Sequence, residues 1–359
     1  MILHVSNSTD ALWIPVFSLN DKVYQNPFYL LFSTFLIIFY LFIAYIILKT
    51  CQIFLKIQVF HENMNILMAW FLLQWFEAIL AKMVILPYQI GLISIGINPE
   101  RSYCSWSSLD QEDILVVRQT EDILPLFVAS CLLWHYMLSI LFGVVVITVE
   151  RGCATYFMED YESKSRRHIP ILLIILTNII TIPYSYFILH YKISILLSYS
   201  QCVANGTFVF IGYFLLLKVN LYWREKINGR DQKEKYSLAR KFQIEENLRS
   251  LMLAKKLVFA CVAYMGFTVL ILFCQNMNIF PQINLFFVHY LDNCILIAAL
   301  VMSVTLLCCS PSWKEKFINE IPLIRNFLNS RVSNSHFMHQ VFSTKDSEAY
   351  FEQLKNAWA

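Results

Sequence analysis

Charge is scarce in this chain. Only 15% of its 359 residues are Asp, Glu, Lys or Arg, against about a quarter in a soluble domain, and mean hydropathy is +0.55. A soluble globular protein is excluded, and a net charge of +3 is too small to mark a nucleic-acid partner. Glycine is rare too, at eight residues. No Gly-rich phosphate loop, no Cys-x-x-Cys and no His-Glu-x-x-His occurs, and the chain has no internal repeat. His336 and His339, three apart in a polar, Ser-rich tail, read as accidental spacing. The expectation is therefore no enzyme, no metal and no cofactor. Residues 1–26 lack a basic stretch followed by an apolar one, so no cleavable signal is expected and the first span serves as its own anchor.

What is present is long apolar runs. Seven reach the roughly 20 residues that cross a bilayer: 27–48, 65–86, 123–149, 169–189, 201–221, 257–274 and 285–309. Two boundaries need argument. Lys192 is the only Asp, Glu, Lys or Arg between His168 and Lys218, yet a single helix there would run about 74 Å at about 1.5 Å per residue. That is more than twice the hydrocarbon thickness, so the chain turns near 190–201. The stretch 257–309 turns likewise where Gln275, Asn276, Asn278, Pro281 and Asn284 cluster.

The expected fold is an all-α bundle of seven transmembrane helices at 27–309, preceded by residues 1–26 and followed by a tail, 310–359. The tail opens with a short interfacial helix: Pro311 in its first turn, Trp313 and Phe317 facing lipid, Lys314 and Lys316 facing water. Residues 218–256 read as helical extensions of spans five and six. Phe242, Glu246 and Arg249 share one side there, which suits either solvent or a partner.

Lys and Arg orient the bundle, because basic residues gather on the cytoplasmic side. Segments 49–62, 150–168, 218–256 and 310–359 hold 23 of the 28, which puts the N-terminus outside and the C-terminus inside. Asn7, in Asn7-Ser8-Thr9, is then a glycosylation site on the outer side. The long acidic loop 87–122, with Cys104 and Trp106, forms a small outer cap. Cys104 and Cys202 both lie towards the oxidising side and are candidates for a bridge that pins it, although spacing alone does not fix pairing. On the inner side, Cys308 and Cys309 are placed for palmitoylation.

Ionisable side chains inside a span cost roughly 2.5–3.5 kcal/mol and so mark functional candidates. From the outer ends of their spans, Glu77 lies about 13 Å deep, His135 about 18 Å and Asp292 about 10 Å. Spans two, three and seven adjoin in a compact bundle. These side chains are therefore expected to converge on one outward-open ligand pocket, lined by Trp75 and Trp134. The competing reading makes the two acids hydrogen-bonded structural groups and His135 a core residue.

The charged collar 150–168 opens with Glu150 and Arg151. Arg151 is expected at the cytoplasmic mouth, its stem snorkelling. Glu150 can hold it in an off state, and Glu246 at the base of span six is a second partner. Movement of span six would free Arg151 for a partner's carbonyls. Ordinary headgroup anchoring is the alternative.

The motifs Glu150-Arg151-x-x-Ala154-Thr155-Tyr156, Asp160-Tyr161-Glu162-x-x-x-Arg166 and Gln243-x-x-Glu246-Asn247-x-Arg249 resemble those of the nematode serpentine chemoreceptors of class epsilon. The chain length, the long loop between spans two and three, and the Pro311-x-Trp313 exit from span seven are similar too. The resemblance implies a G-protein-coupled-receptor-like chemoreceptor of the plasma membrane of sensory neurons. Its implied partners are membrane lipid, a small-molecule ligand from outside and a heterotrimeric G protein. Rhodopsin-like features are missing: span six has no Cys-Trp-x-Pro, span seven no Asn-Pro-x-x-Tyr, and span two no acid at sodium-site depth. Gly152 stands where the Asp/Glu-Arg-Tyr motif has its aromatic residue. The other class, a multi-pass transporter or ligand-gated channel, finds neither repeat nor pore ring here.

Overall fold

A computed structural model describes residues 1–6, 11–57, 59–98, 100–103, 115–157, 166–228 and 238–320. Among these, seven helices are long and apolar enough to cross a membrane. Span one is α1 (Pro27–Lys56); the Asn26 side chain accepts the Phe28 N–H at 3.2 Å and Pro27 fills the first turn. Span two is two helices, α2 (Glu62–Leu73) and α3 (Trp75–Gln89), broken at Gln74. There the Glu77 N–H reaches the Gln74 carbonyl at 3.0 Å, a three-residue bond that tightens the turn.

Span three is α4 (Leu124–Tyr156), which runs on past Val149, so Glu150 and Arg151 lie inside the helix rather than in a collar beyond it. Spans four to seven are α5 (His168–Leu189), α6 (Ile195–Asn228), α7 (Leu238–Asn276) and α8 (Asn284–Cys309). α6 and α7 carry the helical extensions expected of 218–256.

Hydroxyls inside the spans turn back on their own helix, as an apolar solvent requires. Thr50, Thr148, Thr181 and Thr305 donate to the carbonyls of Ile46, Val144, Thr177 and Val301 at 2.7–2.9 Å. α4 is the central helix, packed on α2, α3, α5, α6 and α7. Two glycines permit close approach. A Cβ at Gly143 would meet the Phe71 ring at 3.0 Å, and one at Gly212 would meet Thr148 Cγ2 at 2.7 Å.

One end of the bundle carries a cap. Strands β1 (Ile2–Val5), β2 (Ala11–Trp13) and β3 (Leu115–Val117) form a sheet in the order β2-β1-β3, with β1 antiparallel to β2 and parallel to β3. The cap is thus shared between the chain's first residues and the loop between spans two and three. Leu3, Leu12 and Ile14 are fully buried beneath it. Asn20, at φ 53°, stitches it down: its side chain exchanges bonds of 2.6 and 3.0 Å with Ile95, and its N–H reaches the Tyr88 carbonyl at 2.9 Å. Asparagine is among the few residues that hold a positive φ.

Helix α9 (Pro311–Glu320) follows span seven after the extended Ser310. Trp313 does not face lipid as expected. It is fully buried, 4.5 Å from the Phe54 ring and 5.4 Å from Phe60, and its indole N–H donates to the Ile57 carbonyl at 3.1 Å. A tryptophan has one polar atom, and here the turn after span one supplies its acceptor. Residues Met1–Lys314 form one compact unit and Glu315–Ala359 a second. In the second, Lys316 pairs with Glu320 at 3.5 Å. Asn7, Cys104, Asp160–Glu162, His336 and His339 lie outside the described residues.

Candidate functional site

Two clusters of buried polar side chains stand out, one at each end of the bundle. The first lies opposite the cap. Ile244 and Leu248 of α7 pack with Leu217, Trp223 and Ile227 of α6. That apolar seam turns the other face of α7, with Gln243, Glu246, Asn247 and Ser250 at three- and four-residue spacing, towards α4. The four are buried, so this face is neither solvated nor open. Arg249, expected to share a side with Glu246, is exposed.

Arg151 is 4% exposed, and so lies deeper than a snorkelling mouth residue. Its Nε and Nη2 donate to the two oxygens of Glu150 at 2.6 and 2.7 Å, a bidentate pair. Its Nη1 reaches Glu246 Oε1 and Ser250 Oγ at 3.5 Å and Asn247 Oδ1 at 3.4 Å. Glu246 Oε1 also accepts the His61 N–H at 2.6 Å, tying span six to the turn after span one. Burial holds the His61 imidazole below its ordinary 6.5, against the pull of the Glu246 carboxylate. Beside this, Asn247 Nδ2 donates to Thr155 Oγ1 and Asn220 Oδ1, each at 3.2 Å, and Asn220 Nδ2 donates to Thr155 Oγ1 at 3.2 Å. Spans three, five and six are thereby joined by one polar ladder. A Cβ at Gly152 would meet nothing within 4 Å.

The second cluster lies under the cap, and the expected single pocket is divided there. Glu77 and His135 meet, Oε1 to Nδ1 at 2.7 Å, and Ser139 Oγ sits 3.3 Å from His135 Nε2. Asp292 instead engages the cap: Oδ1 accepts the Phe17 N–H at 2.7 Å and Oδ2 the Ser18 hydroxyl at 2.8 Å. Trp134 donates to the Trp13 carbonyl at 2.7 Å, its ring 4.7 Å from that of Trp13. Trp75 is fully buried and donates to the Leu296 carbonyl at 3.0 Å, so it braces spans two and seven. Cys202 and Cys308 are exposed, and Cys309 is half-buried.

Lys82 lies inside α3 and is buried. Of the ladder, Thr155 and Asn247 stand in the motifs quoted above, whereas Asn220 and Lys82 belong to no motif. The available signal was a polar residue recurring at helical spacing inside an apolar run.

Seven membrane-length helices, with a buried acid–arginine pair at one end and a small capping sheet at the other, define a multi-pass membrane protein of the seven-helix class. The family model described as Sre G protein-coupled chemoreceptor matches residues 1–359, and the chain belongs to that family. It is similar to serpentine receptor class epsilon-37 of Caenorhabditis elegans, 45% identical over all of both chains. It is also similar to class epsilon-38 of that organism, 35% identical over 98% of this chain and 99% of the relative. Class epsilon-27 is 27% identical over 99% of this chain and 98% of the relative. No solved structure matches. The chain is a multi-pass membrane protein, and its family is one of chemoreceptors, not enzymes.

Proposed function

We propose that this receptor binds a small molecule at its capped end and signals to a heterotrimeric G protein at the other. The N-terminus lies outside the plasma membrane of a sensory neuron and the tail inside. In this reading Glu150, Arg151 and Glu246 form the switch. Glu77, His135, Asp292, Trp75 and Trp134 belong to the outer ligand region, with Glu77–His135 and Asp292 as separate elements of it. Asn7 carries a glycan, Cys308 and Cys309 carry acyl chains, and Cys104 with Cys202 pins the cap.

The observation that carries the reading is Arg151, fully engaged inside the bundle by Glu150 and by three residues of span six. A buried guanidinium held this way is an off state. A ligand that binds better when span six has moved shifts the population towards a free Arg151, whose donors then meet backbone carbonyls of the G protein. Arg151→Ala is expected to abolish ligand-evoked signalling while the receptor still reaches the cell surface. Full signalling by that variant would remove Arg151 from the switch.

A further inference from the structure

Arg151 is not alone in tying span six to span three. One turn further along α4, the Thr155 hydroxyl donates to the backbone carbonyl of Arg151 at 2.9 Å. It also accepts Nδ2 of Asn247 from span six and Nδ2 of Asn220 from span five, each at 3.2 Å. A hydroxyl has one donor and two lone pairs, so its whole capacity is used.

The direction of every bond in this group is fixed by its ends. A backbone carbonyl only accepts, so Thr155 donates to Arg151 and both amides donate to Thr155. A guanidinium only donates, so Asn247 turns its oxygen to Arg151 Nη1 at 3.4 Å and keeps its NH2 for Thr155 and for Asn220 Oδ1 at 3.2 Å. Gln243 Nε2 fills the second lone pair of Asn247 Oδ1 at 3.3 Å, and the Leu216 carbonyl takes the other N–H of Asn220 at 2.8 Å. A closed ring results, from the Arg151 guanidinium through Asn247 and Thr155 back to the backbone of Arg151.

Spans five and six are also joined to each other by contacts that leave span three out. Ile244 and Leu248 pack with Leu217, Trp223 and Ile227, Arg224 Nε meets Glu245 Oε1 at 2.8 Å, and Asn247 donates to Asn220. If span six leaves span three, these contacts carry span five with it. The bonds that then open are the long ones to Arg151 and the two amide bonds that end on Thr155.

We propose that Thr155 is a positioning residue of the switch, its hydroxyl an uncharged second latch that holds spans five and six, as a pair, against span three. This rests on the reading of Arg151 as the switch, and it names the group that fixes the off state beside the charges.

The test needs no ligand. The full-length receptor is expressed in cells supplied with one Gα chain of each class, and basal signalling is read at equal surface expression. Thr155→Val keeps the branched side chain and removes the hydroxyl. Its basal signalling is expected to rise about fivefold to thirtyfold, the factor for one or two net hydrogen bonds. Thr155→Ser keeps the hydroxyl and drops the methyl group, and is expected to stay at the wild-type level; a packing role would give the opposite order. Should Thr155→Val not reach the surface, Asn220→Leu, which removes the span-five donor, is expected to raise basal signalling about fivefold. Basal signalling no higher than wild type in the variant that reaches the surface, or an equal rise in Thr155→Ser, overturns the proposal and leaves Arg151 to its own ligand-evoked test. In the Arg151→Ala, Thr155→Val double variant the rise is expected to disappear. A rise that persists there removes Arg151 from the switch and leaves Thr155 as a latch, so the two readings fail separately.

Discussion

Arginine 151 has five N–H donors, and they are not equally well used. Those facing Glu150, the residue next to it, are short and paired. Those facing span six are 3.4–3.5 Å long, at the edge of hydrogen bonding. The strong contact is thus local to one helix and survives any movement, while the grip between helices is weak. A switch needs that asymmetry, since only the weak contacts must open. Glu246→Gln removes the charge from the weak side and keeps an acceptor for the His61 N–H. Losing about 1 kcal/mol there would raise the open fraction about fivefold. Basal signalling in the absence of ligand is expected to rise by that order at equal surface expression. Basal signalling no higher than wild type would show that Glu246 does not hold the off state.

Among the elements, the turn that leaves span seven is held by Trp313. Trp313 fills a slot between Phe54 and Phe60, and its single donor is satisfied by a carbonyl freed where span one ends. Removing a fully buried aromatic side chain costs about 3–5 kcal/mol. Trp313→Ala is therefore expected to lower the Tm of the purified receptor and reduce its surface level. Trp313→Phe should keep most of the ring packing and lose about 1 kcal/mol with the hydrogen bond. If Trp313→Ala melts at the wild-type temperature, the slot does not stabilise the bundle. The broken span two works differently. The turn at Gln74 lets α2 set Glu62 against Arg167 at 2.7 Å at one end, while α3 delivers Glu77 and Lys82 to the other.

For the whole molecule, the distribution of Lys and Arg makes a prediction about orientation. An epitope tag placed at the N-terminus is expected to bind antibody on intact cells. A tag at the C-terminus is expected to need permeabilisation. The reverse pattern would invert every assignment of outer and inner made here, the ligand side included. The cap also has a consequence at this scale. Because β1 pairs with β3 from the loop between spans two and three, residues 2–5 and that loop hold one another in place.

Much of this was determined by sequence alone. Seven runs of apolar residues, separated by charge, can be satisfied in lipid only as helices, and the pairing of Glu150 with Arg151 was legible because neighbours in sequence cannot be far apart in space. Glu246 was legible as a partner because a charged residue at helical spacing in an extension of span six has few places to go. Other features were decided only by tertiary structure. Glu77, His135 and Asp292 have similar depths, but depth fixes one coordinate of three. The rotation of each helix sent Glu77 to His135 and left Asp292 for the cap. Lys82 is a lone cation in the run 65–86, and only the packing of α3 sets its ammonium against Gln89 and the Asp292 carbonyl. Trp313 reads as a lipid-facing anchor by amphipathicity, until Phe54 and Phe60, more than 250 residues earlier in the chain, close around it. Periodicity and composition act within one helix and are written in the sequence. Which faces meet depends on how all seven pack at once.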